Sequence, residues 1–96
     1  MDKQQIVDSL NRVLLGVQEL RGMNYSNGAL EPWKNKVHKV LADAYGQDSS
    51  QSKRFENAPG KFFKVDTELG RQQSYTYVLE MHESALNTLI QRAEMG

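Results

Sequence analysis

The chain has 96 residues, no cysteine, 39% hydrophobic residues, a mean hydropathy of −0.66 and 12 basic against 12 acidic side chains. That suffices for one domain, 1–96, with a modest core, and it excludes a disulfide scaffold, a thiolate nucleophile and Cys-ligated zinc. The balanced charge removes the general attraction expected of a nucleic-acid or anionic-membrane binder, and no apolar run approaches the roughly 20 residues of a membrane span.

The first helix is announced by Ile6, Val7, Leu10, Val13, Leu14, Val17 and Leu20, an apolar stripe at spacings of three and four. Asp2 is placed to cap it with Gln5 as the reciprocal partner, and Gly22 to stop it in a left-handed turn. Leu15 falls off the stripe and is free to face a partner. Gly16 is unfavourable inside a helix unless it permits close helix approach. Residues 23–29 read as a loop with a turn at Asn27-Gly28. Pro32 belongs in the first turn of a second helix that runs to Tyr45 and ends at Gly46. That helix turns Trp33, Val37, Val40, Leu41 and Ala44 inward. Asp48-Ser49-Ser50-Gln51 has capping-box form, predicting a short helix over about 49–57 that presents Phe55.

Asn57-Ala58-Pro59-Gly60 is a break. Lys61-Phe62-Phe63-Lys64-Val65 is expected to be loop, because one isolated strand is not stable alone. The last helix begins near Asp66 or Thr67, or after Gly70, and continues to about Glu94. Its stripe is Tyr75, Val78, Leu79, His82, Leu86, Leu89, Ile90 and Ala93. The expected fold is therefore all-α, a small bundle of three long helices and one short helix. Its core is drawn from Leu10, Leu14, Val17, Trp33, Val37, Leu41, Phe55, Leu79 and Leu86.

No motif points to a reaction. His82-Glu83 begins like HExxH but lacks the second histidine, so no metal site is expected. No GxSxG context accompanies any serine, and no glycine-rich phosphate loop is present. Neither a catalytic residue nor a cofactor is expected. Charge is uneven along the chain: residues 31–64 carry seven bases against four acids, residues 65–96 two bases against five acids. This pattern suits a solvated surface with internal pairing, head-to-tail association, or a local basic pocket for an anion. Aromatic side chains near cations can stack a base while the cation meets a phosphate. Lys53, Arg54, Lys61, Lys64 and Arg71 supply such cations, and Tyr25, Phe62 and Tyr77, with Lys61, Lys64 and Arg71, are the candidate ligand-binding residues.

Leu30, Trp33, the turn Tyr45-Gly46-Gln47-Asp48-Ser49 and the run Lys53-Arg54-Phe55 together resemble the helical N-terminal domain of bacterial predicted nucleotide-binding proteins that carry a TIR-like C-terminal domain, and of related anti-phage defence proteins. Tyr45 stands where that pattern most often has Phe, and KFFKVDTELG is less typical. The resembling residues are turn, cap and core signals rather than chemistry, and this chain shows no TIR-like segment whose activity would carry over. The resemblance implies a non-enzymatic interaction or oligomerisation module linked to anti-phage defence; the residues themselves offer Leu15, Tyr25, Tyr77 and the face of the last helix as its surface. The alternative is a phage or mobile-element counter-defence protein that sequesters a nucleotide second messenger. The expected partners are a second copy of the chain, a defence protein, or a cyclic or ADP-ribose-type nucleotide; neither a membrane nor nucleic acid is expected. The polar N-terminus lacks a secretory apolar core, so the expected location is the cytoplasm.

Overall fold

The computed structural model describes residues 2–60 and 67–95, which form four helices and no strand. These are α1 (Lys3–Arg21), α2 (Leu30–Tyr45), α3 (Ser50–Glu56) and α4 (Glu68–Met95). The architecture is the expected all-α bundle of three long helices and one short one. The segment 61–66, read from the sequence as loop, lies outside the described residues.

Local chemistry sets most of the boundaries. Asp2 accepts from the Gln5 amide at 2.8 Å while the Gln5 side chain accepts from the Asp2 amide at 3.0 Å, a complete capping box. Before α2, which Pro32 enters in its first turn, the Asn27 side-chain carbonyl accepts from the Ala29 amide. Gly46 closes α2 at φ 97°, a backbone state that glycine adopts without strain. Ser49 caps α3 by accepting from the Ser52 amide at 3.1 Å. The cap is thus a single serine rather than a reciprocal box. Thr67 precedes α4 and accepts from the Gly70 amide at 3.0 Å.

The left-handed stop expected at Gly22 is not what forms: its φ is −84°. The physical reason is that the last carbonyls of α1 find other donors. The Glu19 carbonyl accepts from the Gly22 amide at 3.3 Å. The Leu20 carbonyl accepts from the Met23 amide at 3.1 Å and from the Tyr75 hydroxyl of α4 at 2.6 Å. With those groups satisfied, a left-handed cap is unnecessary.

α4 packs along α1, α2 packs on α1, and the short α3 bridges α2 and α4. Leu10, Val17, Trp33, Val37, Leu41, Phe55, Leu79 and Leu86 are buried together with Leu20, Tyr75, Leu89 and Ile90. Leu14, the ninth expected core residue, packs against this cluster half-buried at its edge. Each fully buried aliphatic or Phe side chain contributes about 1.5–3 kcal/mol relative to exposure. Trp33 satisfies its indole N–H by donating to the Val13 carbonyl at 2.9 Å, as a buried indole must. A Cβ on Gly16 would meet Trp33 Cδ1 and Nε1 at 3.0 Å, so the glycine lets α1 and α2 approach.

Candidate functional site

The described residues among those singled out from the sequence, Tyr25, Arg71 and Tyr77, do not share one face. Tyr25 is half-buried against the core, its backbone amide donating to Gln72 Oε1 at 2.9 Å. Arg71 is exposed near the start of α4. Tyr77 is 44% exposed and its hydroxyl donates to the Pro59 carbonyl at 3.3 Å. Arg71 and Tyr77, six residues apart on one helix, point to different sides of it. Lys61, Phe62 and Lys64 lie outside the described residues.

The structure instead assembles a cavity from residues scattered along the chain. Its volume is about 450 Å³, and all four helices line it. α1 contributes Lys3 and Ile6, and α2 contributes Tyr45 at its last position. α3 contributes Ser50, Gln51 and Arg54, and α4 contributes Leu89, Arg92 and Ala93. The packing of α4 along α1 brings the end of one helix beside the start of the other, which is how Lys3 and Arg92 come to share a wall. Ile6, Leu89 and Ala93 supply an apolar part, with Tyr45 packed half-buried against the core. Lys3, Arg54 and Arg92 supply positive charge, and among the described residues no carboxylate lines the cavity. The ion pairs among the described residues are Arg21–Glu83 at 2.7 Å, Lys34–Glu31 at 3.2 Å and His38–Glu56 at 2.6 Å; none involves those three cations. Like charges gathered without a counter-charge repel one another, and an incoming anion relieves that repulsion.

Two histidines sit on the other side of α3. His38 Nδ1 lies 3.2 Å from Ser52 Oγ, and His38 Nε2 lies 2.6 Å from Glu56 Oε2. This is a serine–histidine–acid array. Ser52 is only 8% exposed and lines neither this cavity nor the one that reaches His82. In the fold, the array ties α3 to α2. His82 is 1% exposed, with its ring centroid 4.4 Å from that of Phe55 and 6.4 Å from that of Trp33. Its Nδ1 has no hydrogen-bond partner. Burial, then the charge of Lys34, push the His82 pKa below its ordinary value; a hydrogen bond to the Phe55 backbone and the charge of Glu56 oppose this, and His38 lowers it further. A second cavity of about 350 Å³ reaches His82 and is bordered by Lys34, Glu31 and Glu56. There the lysine is already paired with Glu31, so its positive charge is already matched.

Among the described residues, no group of three or more His, Cys, Asp or Glu side chains is placed to hold a metal ion, and no helix is long and apolar enough to cross a membrane. No family model, curated protein or solved structure matches the chain.

Sequence reasoning passed over Lys3, Tyr45, Arg54 and Arg92 as a group. Tyr45 stood out only as a turn signal, and Arg54 as a helix-end signal and one of the cations able to meet a phosphate. The one clue was the expectation of long helices in a small bundle, since antiparallel neighbours bring sequence-distant ends together.

Proposed function

We propose that this domain is a non-enzymatic binding module that holds a small anionic ligand in the four-helix cavity. The observation behind this reading is that Lys3, Arg54 and Arg92, from three different helices, border one cavity with no carboxylate among its described lining residues. Arginine forks match phosphate and carboxylate groups with paired hydrogen bonds, and lysine adds a mobile point charge. Its volume falls within the roughly 300–1,000 Å³ of typical small-molecule sites. The test is a thermal-shift panel of inorganic phosphate, pyrophosphate, dicarboxylates, and linear, cyclic and ADP-ribose-type nucleotides. A ligand present at 100 times its dissociation constant adds about 2.7 kcal/mol, which is several degrees for a domain of this size. No shift with any anion, at low salt, rejects the reading.

A second reading is protein association, the role that the resemblance to anti-phage defence proteins implies, in the cytoplasm and with a second copy or a defence protein as partner. Leu15, Leu69 and Met95 favour it, being 66%, 70% and 87% exposed. Isolated exposed apolar residues are ordinary on a monomer, however. Mass by light scattering decides: a concentration-independent monomer removes self-association, and a dimer abolished by Leu15→Glu or Leu69→Glu supports it.

A further inference from the structure

Resting on the reading of the four-helix cavity as an anion site, we infer that its ligand is amphiphilic: a nucleoside diphosphate or a closely related diphosphate ester, not a simple inorganic anion. The cations come from three helices, with Lys3 at the first position of α1, Arg54 in α3 and Arg92 near the end of α4. A single phosphate, with between one and two charges, does not match three separated cations as well as a diphosphate ester with about three. The rest of the lining is wrong for a bare anion. Ile6, Leu89 and Ala93 are apolar, and Tyr45 presents a phenol ring at the end of α2. An inorganic ion leaves that surface in contact with water, whereas a flat heteroaromatic base covers it and stacks on the tyrosine. Ser50 Oγ donates to Gln51 Oε1 at 3.2 Å, which leaves the Gln51 side-chain NH₂ to donate to a sugar hydroxyl or a base edge. Charge, apolar floor, ring and a neutral polar edge therefore occur together in one cavity. The ligand that uses all four has a diphosphate at one end and a base at the other.

The test is isothermal titration of the full chain at low salt with six probes in parallel: ADP, GDP, UDP, CDP, inorganic pyrophosphate and adenosine. The expected result is that at least one nucleoside diphosphate binds ten-fold or more tighter than pyrophosphate, and that adenosine binds weakest. Arg54→Gln and Arg92→Gln should each weaken that nucleotide ten-fold or more. Both arginines are exposed, so the variants are expected to keep the wild-type melting curve, and circular dichroism checks this. If pyrophosphate binds as tightly as every nucleotide and both arginine variants lose it, the anion site stands and the amphiphilic ligand is wrong. If a nucleotide binds but neither arginine variant weakens it, the nucleotide sits elsewhere and the inference is overturned. If none of the probes binds, the inference falls; the reading of an anion site falls with it only if the wider anion panel is also silent.

Discussion

Gly16 sits beneath the indole of Trp33, where an added methyl would stand 3.0 Å from both Cδ1 and Nε1. Alanine is better than glycine in a helix by about 1 kcal/mol, and overpacking a filled site costs about 1–3 kcal/mol. The ring has little room to yield, since it is held by its bond to the Val13 carbonyl at 2.9 Å and by the edge of Phe55 at a centroid distance of 5.9 Å. Overpacking should therefore prevail: Gly16→Ala is expected to lose up to about 2 kcal/mol net, seen as a lower urea midpoint. A midpoint at or above wild type would show that the indole moves aside. His82 makes a second prediction at this scale. Its pKa lies below the ordinary 6.5 because burial, followed by Lys34, disfavours the charged ring. Between that lowered value and 6.5, the unfolded chain binds a proton that the folded chain does not. Stability contributed by neutral His82 is thus complete above about pH 6.5, declines as the pH drops toward the folded pKa, and is flat below it. His82→Phe removes this titration, so its midpoint should rise relative to wild type between pH 7 and pH 5. Parallel pH profiles for the two proteins would contradict a neutral buried His82. The stripe of α4 placed His82 on or beside the apolar face in the sequence, but its full burial, its unpartnered Nδ1 and the Lys34 nearby arise from packing between helices and leave no local trace.

Helix α3 has seven residues, far too few to be stable alone. Its position depends on three attachments: the Ser49 cap, the fully buried Phe55 ring, and the His38 ring between Ser52 and Glu56. Ser49→Ala should cost about 1 kcal/mol. Phe55→Ala should cost about 3–5 kcal/mol, a large share of the 5–15 kcal/mol that holds a typical domain folded. Because Ser50, Gln51 and Arg54 ride on this helix and line the cavity, Ser49→Ala should also weaken anion binding while the domain remains folded. Titration with pyrophosphate beside a melting curve checks this; unchanged affinity in the destabilised variant would mean that the cavity does not depend on how α3 is anchored. Helix starts were legible at Asp2 and, more coarsely, around Ser49, because caps use donors and acceptors two or three residues apart. Helix ends were less so. Gly22 and Gly46 look alike in sequence, yet only Gly46 adopts a positive φ. The difference comes from Tyr75, whose hydroxyl reaches the Leu20 carbonyl from another helix, and no window around Gly22 contains that information.

At the scale of the whole molecule, the even balance of 12 bases and 12 acids removes a net-charge attraction and leaves charge to act mainly locally. The sequence showed the bases concentrated in residues 31–64, and Arg54 alone of the cavity's three cations belongs to that stretch. Lys3 and Arg92 join it only because α1 and α4 pack side by side, so the site becomes legible only after the bundle is built. This arrangement separates two responses to salt. The ion pairs among the described residues join side chains that are partly or largely exposed, and such pairs contribute about 0–1 kcal/mol each. The core is apolar and insensitive to screening. The cavity's attraction for an anion, by contrast, comes from cations in contact with solvent, where the screening length shrinks from about 30 Å at 0.01 M to about 10 Å at 0.1 M salt. Raising sodium chloride from 10 to 300 mM (roughly that span of screening and beyond) should therefore weaken pyrophosphate binding by an order of magnitude or more while shifting the ligand-free melting temperature by only a degree or two. Replacing both Arg54 and Arg92 by Gln should flatten the salt dependence of any binding that remains. If affinity is indifferent to salt, the anion is not held by these cations. If the melting temperature falls along with affinity, the charges belong to the scaffold of the fold rather than to a site built on it.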